Sequence, residues 1–243
     1  MTVNNLLIDG VIGDDMRDTT LNTIAVVIFG VTMASLLGPI VDLSPAVVAV
    51  FAAVGLGVFS LDQLGLGGRI GDILMDAVAW ASPEHRQRVL HHEAGHFLAA
   101  VLLDIPVEAY TLNTWEAWKQ GIPGQGGVVF GPSDPAALAR LTPQSIDRYC
   151  QVWMAGIAAE QMIYGDAQGG SNDTAAISLF WSALGRSPNE APLKQRWAAL
   201  QAKTLLEKHR EAFDALVTAM GDRTPVADCC ALIEQHRTPL EAV

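Results

Sequence analysis

The sequence predicts a mainly α-helical protein: an N-terminal transmembrane helical hairpin, then an α-helical domain with a small β element. Three observations predict it. Two uncharged runs of nineteen residues each, Thr23–Val41 and Leu43–Leu61, lie almost back to back, and each is long enough to cross the hydrocarbon core of a bilayer. From Ser82 onward, apolar residues recur at helical spacing between clear start and stop signals. Only Val107–Leu112 and Gly127–Phe130 read as strands, short and flanked by turn residues.

Residues 1–20 form a short polar segment in which Asp9, Asp14, Asp15 and Asp18 stand against Arg17. That charge pattern fits neither a secretory signal nor a transit peptide, and the segment reads as poorly ordered. Residues 21–62 are the hairpin, with spans at about 23–41 and 43–61 and only Asp42 and Ser44 near their junction. Gly30, Gly38, Gly55 and Gly57 suit close helix contact in lipid; a buried hairpin in a soluble core is the alternative. The junction carries no Lys or Arg, whereas Arg17 precedes the hairpin and Arg69, Arg86 and Arg88 follow it. The positive-inside tendency puts both termini in the cytoplasm or an equivalent compartment.

Residues 63–81 read as a connector. Gly65, Gly67, Gly68 and Gly71 open it without the Gly-Lys-Ser/Thr of a phosphate loop, and Ile70, Ile73, Leu74, Ala77 and Val78 then face away from Asp72 and Asp76 on an amphipathic helix. Residues 82–243 form the second domain. Ser82-Pro83-Glu84 supplies a capping hydroxyl, a proline at the first helical position and an early carboxylate. Pro106 ends that helix, and the two strands flank a loop containing Trp115 and Trp118. Thr142-Pro143 opens a helix that runs to Gly165, Gly169–Asp173 starts another, and amphipathic helices fill 188–236.

Composition narrows the function. Half the residues are hydrophobic and 17% are charged, with a net charge of −11; that balance excludes nucleic acid as a partner, because phosphates would be repelled. Three cysteines, two of them adjacent at Cys229 and Cys230, make no disulfide framework and point to a reducing compartment.

The chemistry lies in His92-Glu93-Ala-Gly-His96. Four residues apart on a helix, the two imidazoles share a face and can grip one metal ion. Glu93 projects beside them as a general base for a metal-bound water. His91 is rotated about 100° from His92 and is a neighbour of the site. Unpaired imidazoles on a half-buried helix would be costly without a partner. A catalytic Zn2+ takes three protein ligands, so a third must come from elsewhere.

His92-Glu-Ala-Gly-His96, then Ala155-Gly-Ile-Ala-Ala-Glu160-Gln-Met-Ile-Tyr-Gly165, then Gly170-Ser-Asn-Asp173, resemble in order and approximate spacing the peptidase domain of the FtsH-type zinc metalloproteases (peptidase family M41). The resemblance covers roughly Glu84 to Gln235. It implies that His92, His96 and Asp173 are zinc ligands and that Glu93 is the general base. Asp173 stands near a helix start, where a carboxylate is favoured and where simple capping is its bland role. Glu160 is the rival ligand, or else supports the ligands from behind. The family's ATPase module has no counterpart here, since the stretch between Leu61 and His92 is short and no nucleotide-binding lysine loop occurs.

These readings predict a membrane-anchored zinc metalloendopeptidase that hydrolyses unfolded or delivered polypeptides without ATP, with its peptidase domain on the cytoplasmic side. Its expected partners are polypeptide substrates, the lipid bilayer, and copies of itself or an ATPase-bearing protease. The competing reading is a catalytically silent membrane scaffold or partner subunit, against which the intact His92, Glu93, His96 and Asp173 count. An intramembrane protease is discounted because Glu84-His-Arg-Gln-Arg88 is too charged for a bilayer interior.

Overall fold

The computed structural model describes residues 15–41, 44–62, 64, 73, 79–80, 82–122, 126–131 and 141–236. The chain divides into two compact units, Met1–Met75 and Asp76–Val243.

In the first unit, α1 (Asp15–Leu37) runs into a 3-10 turn at Gly38–Val41, and α2 (Pro45–Leu61) follows. Gly38-Pro39 ends the regular helix, because the residue before a proline is pushed out of the helical region. Ser44 restarts the chain, its hydroxyl accepting from the N–H of Ala46. Apolar side chains point outward on both helices: Phe29, Leu36, Phe51 and Leu61 are all exposed. Two expectations change here. Residues 15–20, read as poorly ordered, are the first turns of α1. The transmembrane hairpin is not supported, because no helix among the described residues is long and apolar enough to cross a membrane. At 17 residues, α2 reaches only about 25 Å against the roughly 30 Å of a hydrocarbon core. In α1 the apolar sequence begins only at Thr23 and ends with the helix at Leu37, about 22 Å. Residues 1–14 and nearly all of the expected connector at 63–81 lie outside the described residues.

The second unit is helical with one two-stranded sheet. Helix α3 (Pro83–Leu102) starts as its sequence predicts, the Ser82 hydroxyl accepting from the N–H of His85. It ends at Leu102, and Asp104 then turns left-handed at φ 58° ahead of Pro106. Arg148 donates to the carbonyl of Leu103 at 3.0 Å, satisfying one of the carbonyls left open at that end. Strand β1 (Val107–Thr111) pairs antiparallel with β2 (Gly127–Phe130), with a register shift between Val107 and Ala109. Between them lies a helix rather than only a loop: α4 (Thr114–Gln120) is capped by Asn113, whose side chain accepts from the N–H of Glu116, and stops at left-handed Gly121.

Five helices complete the unit: α5 (Pro143–Tyr164), α6 (Ser171–Ala183), α7 (Ala191–Lys208), α8 (Arg210–Gly221) and α9 (Val226–Gln235). Phe97 and Leu98 of α3, Val152 and Ala158 of α5, Phe213 and Leu216 of α8, and Ile233 of α9 form the main core, each fully enclosed. The α3–α5 crossing positions the site. At Gly95 a Cβ would stand 2.5 Å from the carbonyl oxygen of Ala155 and 2.8 Å from Cβ of Ala159. Small residues therefore let the two helix backbones approach closely, which brings the His92–His96 turn over the middle of α5.

Candidate metal centre

His92 and His96 follow one another by a helical turn of α3, with ring centroids 4.7 Å apart. Each ring is fixed from behind through Nδ1. His92 Nδ1 lies 2.7 Å from Oε1 of Glu160, and His96 Nδ1 lies 2.7 Å from the carbonyl oxygen of Val152. Both acceptors belong to α5. With Nδ1 committed as a donor, Nε2 of each ring is the lone-pair nitrogen once the imidazole is neutral, and that tautomer can bind a metal.

The two Nε2 atoms converge on one carboxylate. Asp173 Oδ2 is 3.1 Å from His92 Nε2, and Asp173 Oδ1 is 3.5 Å from His96 Nε2. Helix α6 begins after left-handed Gly170, which has no side-chain cap bond. Asp173 sits in the first turn and turns its side chain to the imidazoles instead of capping. One ligand atom from each of His92, His96 and Asp173 fits within 4.8 Å of the others, so the three could hold a metal ion.

The residues fit such an ion by shape as well as donor type. At Gly156 of α5 a Cβ would stand 2.5 Å from His92 Cδ2 and 2.5 Å from His96 Nε2. Glycine is what leaves the rings their space. Nitrogen, nitrogen and oxygen donors in a half-buried pocket suit a zinc-like divalent ion. Charge agrees: Glu93, Asp173 and Glu160 bring three carboxylates to two imidazoles, and Arg88 contacts only Glu160 among them.

Glu160 was the rival ligand. It stands on the far side of His92, at Nδ1, outside the three-residue group. The N–H groups of Gln168 and Gly169 also donate to it, at 3.0 and 3.2 Å. Glu93 points to the sheet, its Oε2 accepting from the N–H of Val128 in β2 at 3.0 Å. His91 faces Tyr164 and stacks against Phe213, away from the cluster.

The electrostatics follow from this packing. Burial opposes a charge on His92, but hydrogen bonds to Asp173 and Glu160 outweigh it and push the pKa up to about 10 in the metal-free site. Burial likewise opposes a charge on Asp173, yet His96 and His92 hold its carboxyl well below the usual range. Burial raises Glu93 despite both imidazoles, making it a better proton acceptor than a solvated glutamate.

Several supporting groups are not evident from sequence. The Val152 carbonyl and Val128 N–H are main-chain atoms that any residue would supply. Gly156 matters only because two helices cross there. Arg88 could have been noticed, since it lies four residues before His92 and shares its face of the helix.

Comparison with known proteins adds an independent finding. Over 135 residues the chain is 32% identical to ATP-dependent zinc metalloprotease FtsH 1 of Sorangium cellulosum (strain So ce56). The alignment takes in 53% of this chain and 20% of that protein, so the chain spans about a fifth of the relative it matches. No protein-family model matches. Together, the partial identity and the His/His/Asp cluster support a distant relationship to the FtsH proteases.

Proposed function

We propose that this chain is a zinc metalloendopeptidase that hydrolyses peptide bonds of unfolded or delivered polypeptides and needs no ATP for the chemistry. One observation carries the reading: His92, His96 and Asp173 converge within 4.8 Å beside a half-buried carboxylate, Glu93, that is tethered to a strand. His92, His96 and Asp173 would hold the ion. When bound, zinc supplies Lewis acidity at a carbonyl and makes water easier to deprotonate.

The chain's own residues do the rest. The N–H of Val128 holds Oε2 of Glu93, so Oε1 receives the proton of the attacking water and returns it to the leaving amine. Glu160 and the Val152 carbonyl keep both Nε2 atoms turned toward Asp173. A substrate segment would pair along Gly127–Phe130, using strand edge hydrogen bonds that read backbone rather than sequence.

The same proposal places the peptidase unit in a reducing, cytoplasmic compartment, in keeping with free Cys150, Cys229 and Cys230. The outward apolar side chains of α1 and α2 support attachment to lipid, and assembly with further copies or with an ATPase-bearing protease would supply unfolded substrate. Purified protein should carry about one zinc per chain and cleave casein without ATP. Glu93→Gln should abolish cleavage and retain the metal. Cleavage that survives this substitution, or zinc-loaded protein inert toward every unfolded substrate, would overturn the reading, the latter in favour of a silent scaffold.

A further inference from the structure

Behind the cluster, Arg88 has a placement that neither the motif nor the proposed chemistry uses. Its side chain is only 11% exposed, one turn before His92 on α3. Nη1 donates to Glu160 Oε2 at 3.4 Å, Nη2 donates to Asp166 Oδ1 at 3.0 Å, and the guanidinium lies 4.2 Å from the ring centre of Tyr164. Glu160 therefore receives four donors: His92 Nδ1 and Gly169 N on Oε1, Arg88 Nη1 and Gln168 N on Oε2. Arg88 Nε is buried without a hydrogen-bond partner. Keeping that atom dry is a cost, one that an ordinary surface ion pair would avoid by turning outward.

We propose that Arg88 is a positioning residue for the metal centre, acting through the Glu160 carboxylate to hold the His92 ring in its metal-binding tautomer and orientation. The inference rests on the reading of His92 as a metal ligand. A carboxylate has two equivalent oxygens and rotates freely unless both are engaged. Arg88 shares with the Gln168 N–H the oxygen that His92 does not engage, and it is the one side-chain donor there, from a guanidinium that also meets Asp166 and the Tyr164 face. A planar fork can bridge two carboxylates while stacked, and an ammonium cannot. Charge is a separate effect: the cation pairs with Glu160, whose other oxygen accepts the hydrogen bond from the Nδ1–H of His92. His96 needs no such device because its acceptor is a main-chain carbonyl.

That difference supplies an internal control. In the folded protein, with and without zinc, each Nδ1–H should give a slowly exchanging downfield proton resonance. Arg88→Met should broaden or remove the His92 resonance and leave that of His96. Arg88→Lys, which keeps the charge and loses the fork, should lower zinc affinity by about tenfold in a chelator competition. Asp166→Asn, which removes an exposed charge but keeps the Oδ1 acceptor for Arg88 and touches no donor to Glu160, should stay within about twofold of the parent. Two persistent resonances in Arg88→Met, or parental zinc affinity in Arg88→Lys, would reduce Arg88 to a plain ion pair and overturn the proposal. A Glu93→Gln protein that still cleaves casein would defeat the peptidase reading while leaving these resonances to be read on their own terms.

Discussion

Gly156→Ala separates metal binding from folding. The added Cβ would lie 2.5 Å from His96 Nε2 and 2.5 Å from His92 Cδ2, so the rings must retreat by about 1 Å to reach van der Waals contact. Neither can do so freely, since each Nδ1 is held at 2.7 Å from its acceptor. Zinc–nitrogen bonds of about 2.0–2.1 Å tolerate errors of only about 0.2 Å. Losing the orientation of one ligand costs about 10- to 100-fold in affinity, so disturbing both should cost about 100- to 10,000-fold, or about 3–5 kcal/mol. Folding is touched much less. Alanine gains about 1 kcal/mol over glycine within a helix, against about 1–3 kcal/mol for the crowding. The Tm of the metal-free protein should fall by only a few degrees. Chelator competition and thermal melting of the same samples check both numbers. Zinc affinity within threefold of the parent would mean that the imidazoles do not pack on this glycine, and the geometry of the centre would have to be redrawn.

Other outcomes follow from the same structure. Gly95→Ala places a Cβ against the backbone oxygen of Ala155, where no side chain can yield, and should destabilise by about 1–2 kcal/mol in a urea melt, net of helix propensity. In metal-free protein the His92 pKa stands near 10 against 6.5. A raised pKa contributes stability that is complete below about pH 6.5 and lost as pH climbs toward 10, so the Tm should decline across that window; His92→Gln should flatten the decline. Burial pushes Cys150 and Cys229 up to about 11, and both are fully enclosed, while Cys230 is partly exposed. At pH 8, Cys230 should react first with a thiol reagent, the other two only as the protein unfolds.

Where one piece of chain suffices to specify a feature, the sequence showed it. Ser82-Pro83-Glu84 marks the start of α3, Gly165 the end of α5, and the four-residue histidine spacing the shared face. Helix α4 was missed because seven residues between two strands resemble a loop, although Asn113 and Glu116 carry its capping signal. The hairpin is not supported among the described residues because counting uncharged residues ignores where the helix stops: Gly38-Pro39 cuts α1 short of Val41, and Ser44 delays α2 to Pro45. At the centre, the side chains brought together were visible as letters. Their supports were not, since the Val152 carbonyl, the Val128 N–H and the room at Gly156 arise only when separate elements pack.

The link between Glu93 and Val128 reaches beyond the cluster. Because the proposed proton acceptor hangs from the main chain of β2, whatever stiffens that ribbon would also steady the acceptor. On the proposed mechanism a long guest chain lying beside it would tune the very group that deprotonates the attacking water, whereas a dipeptide, too small to engage the ribbon, would be turned over slowly even at saturation. Length of the guest, more than its side chains, would then govern turnover.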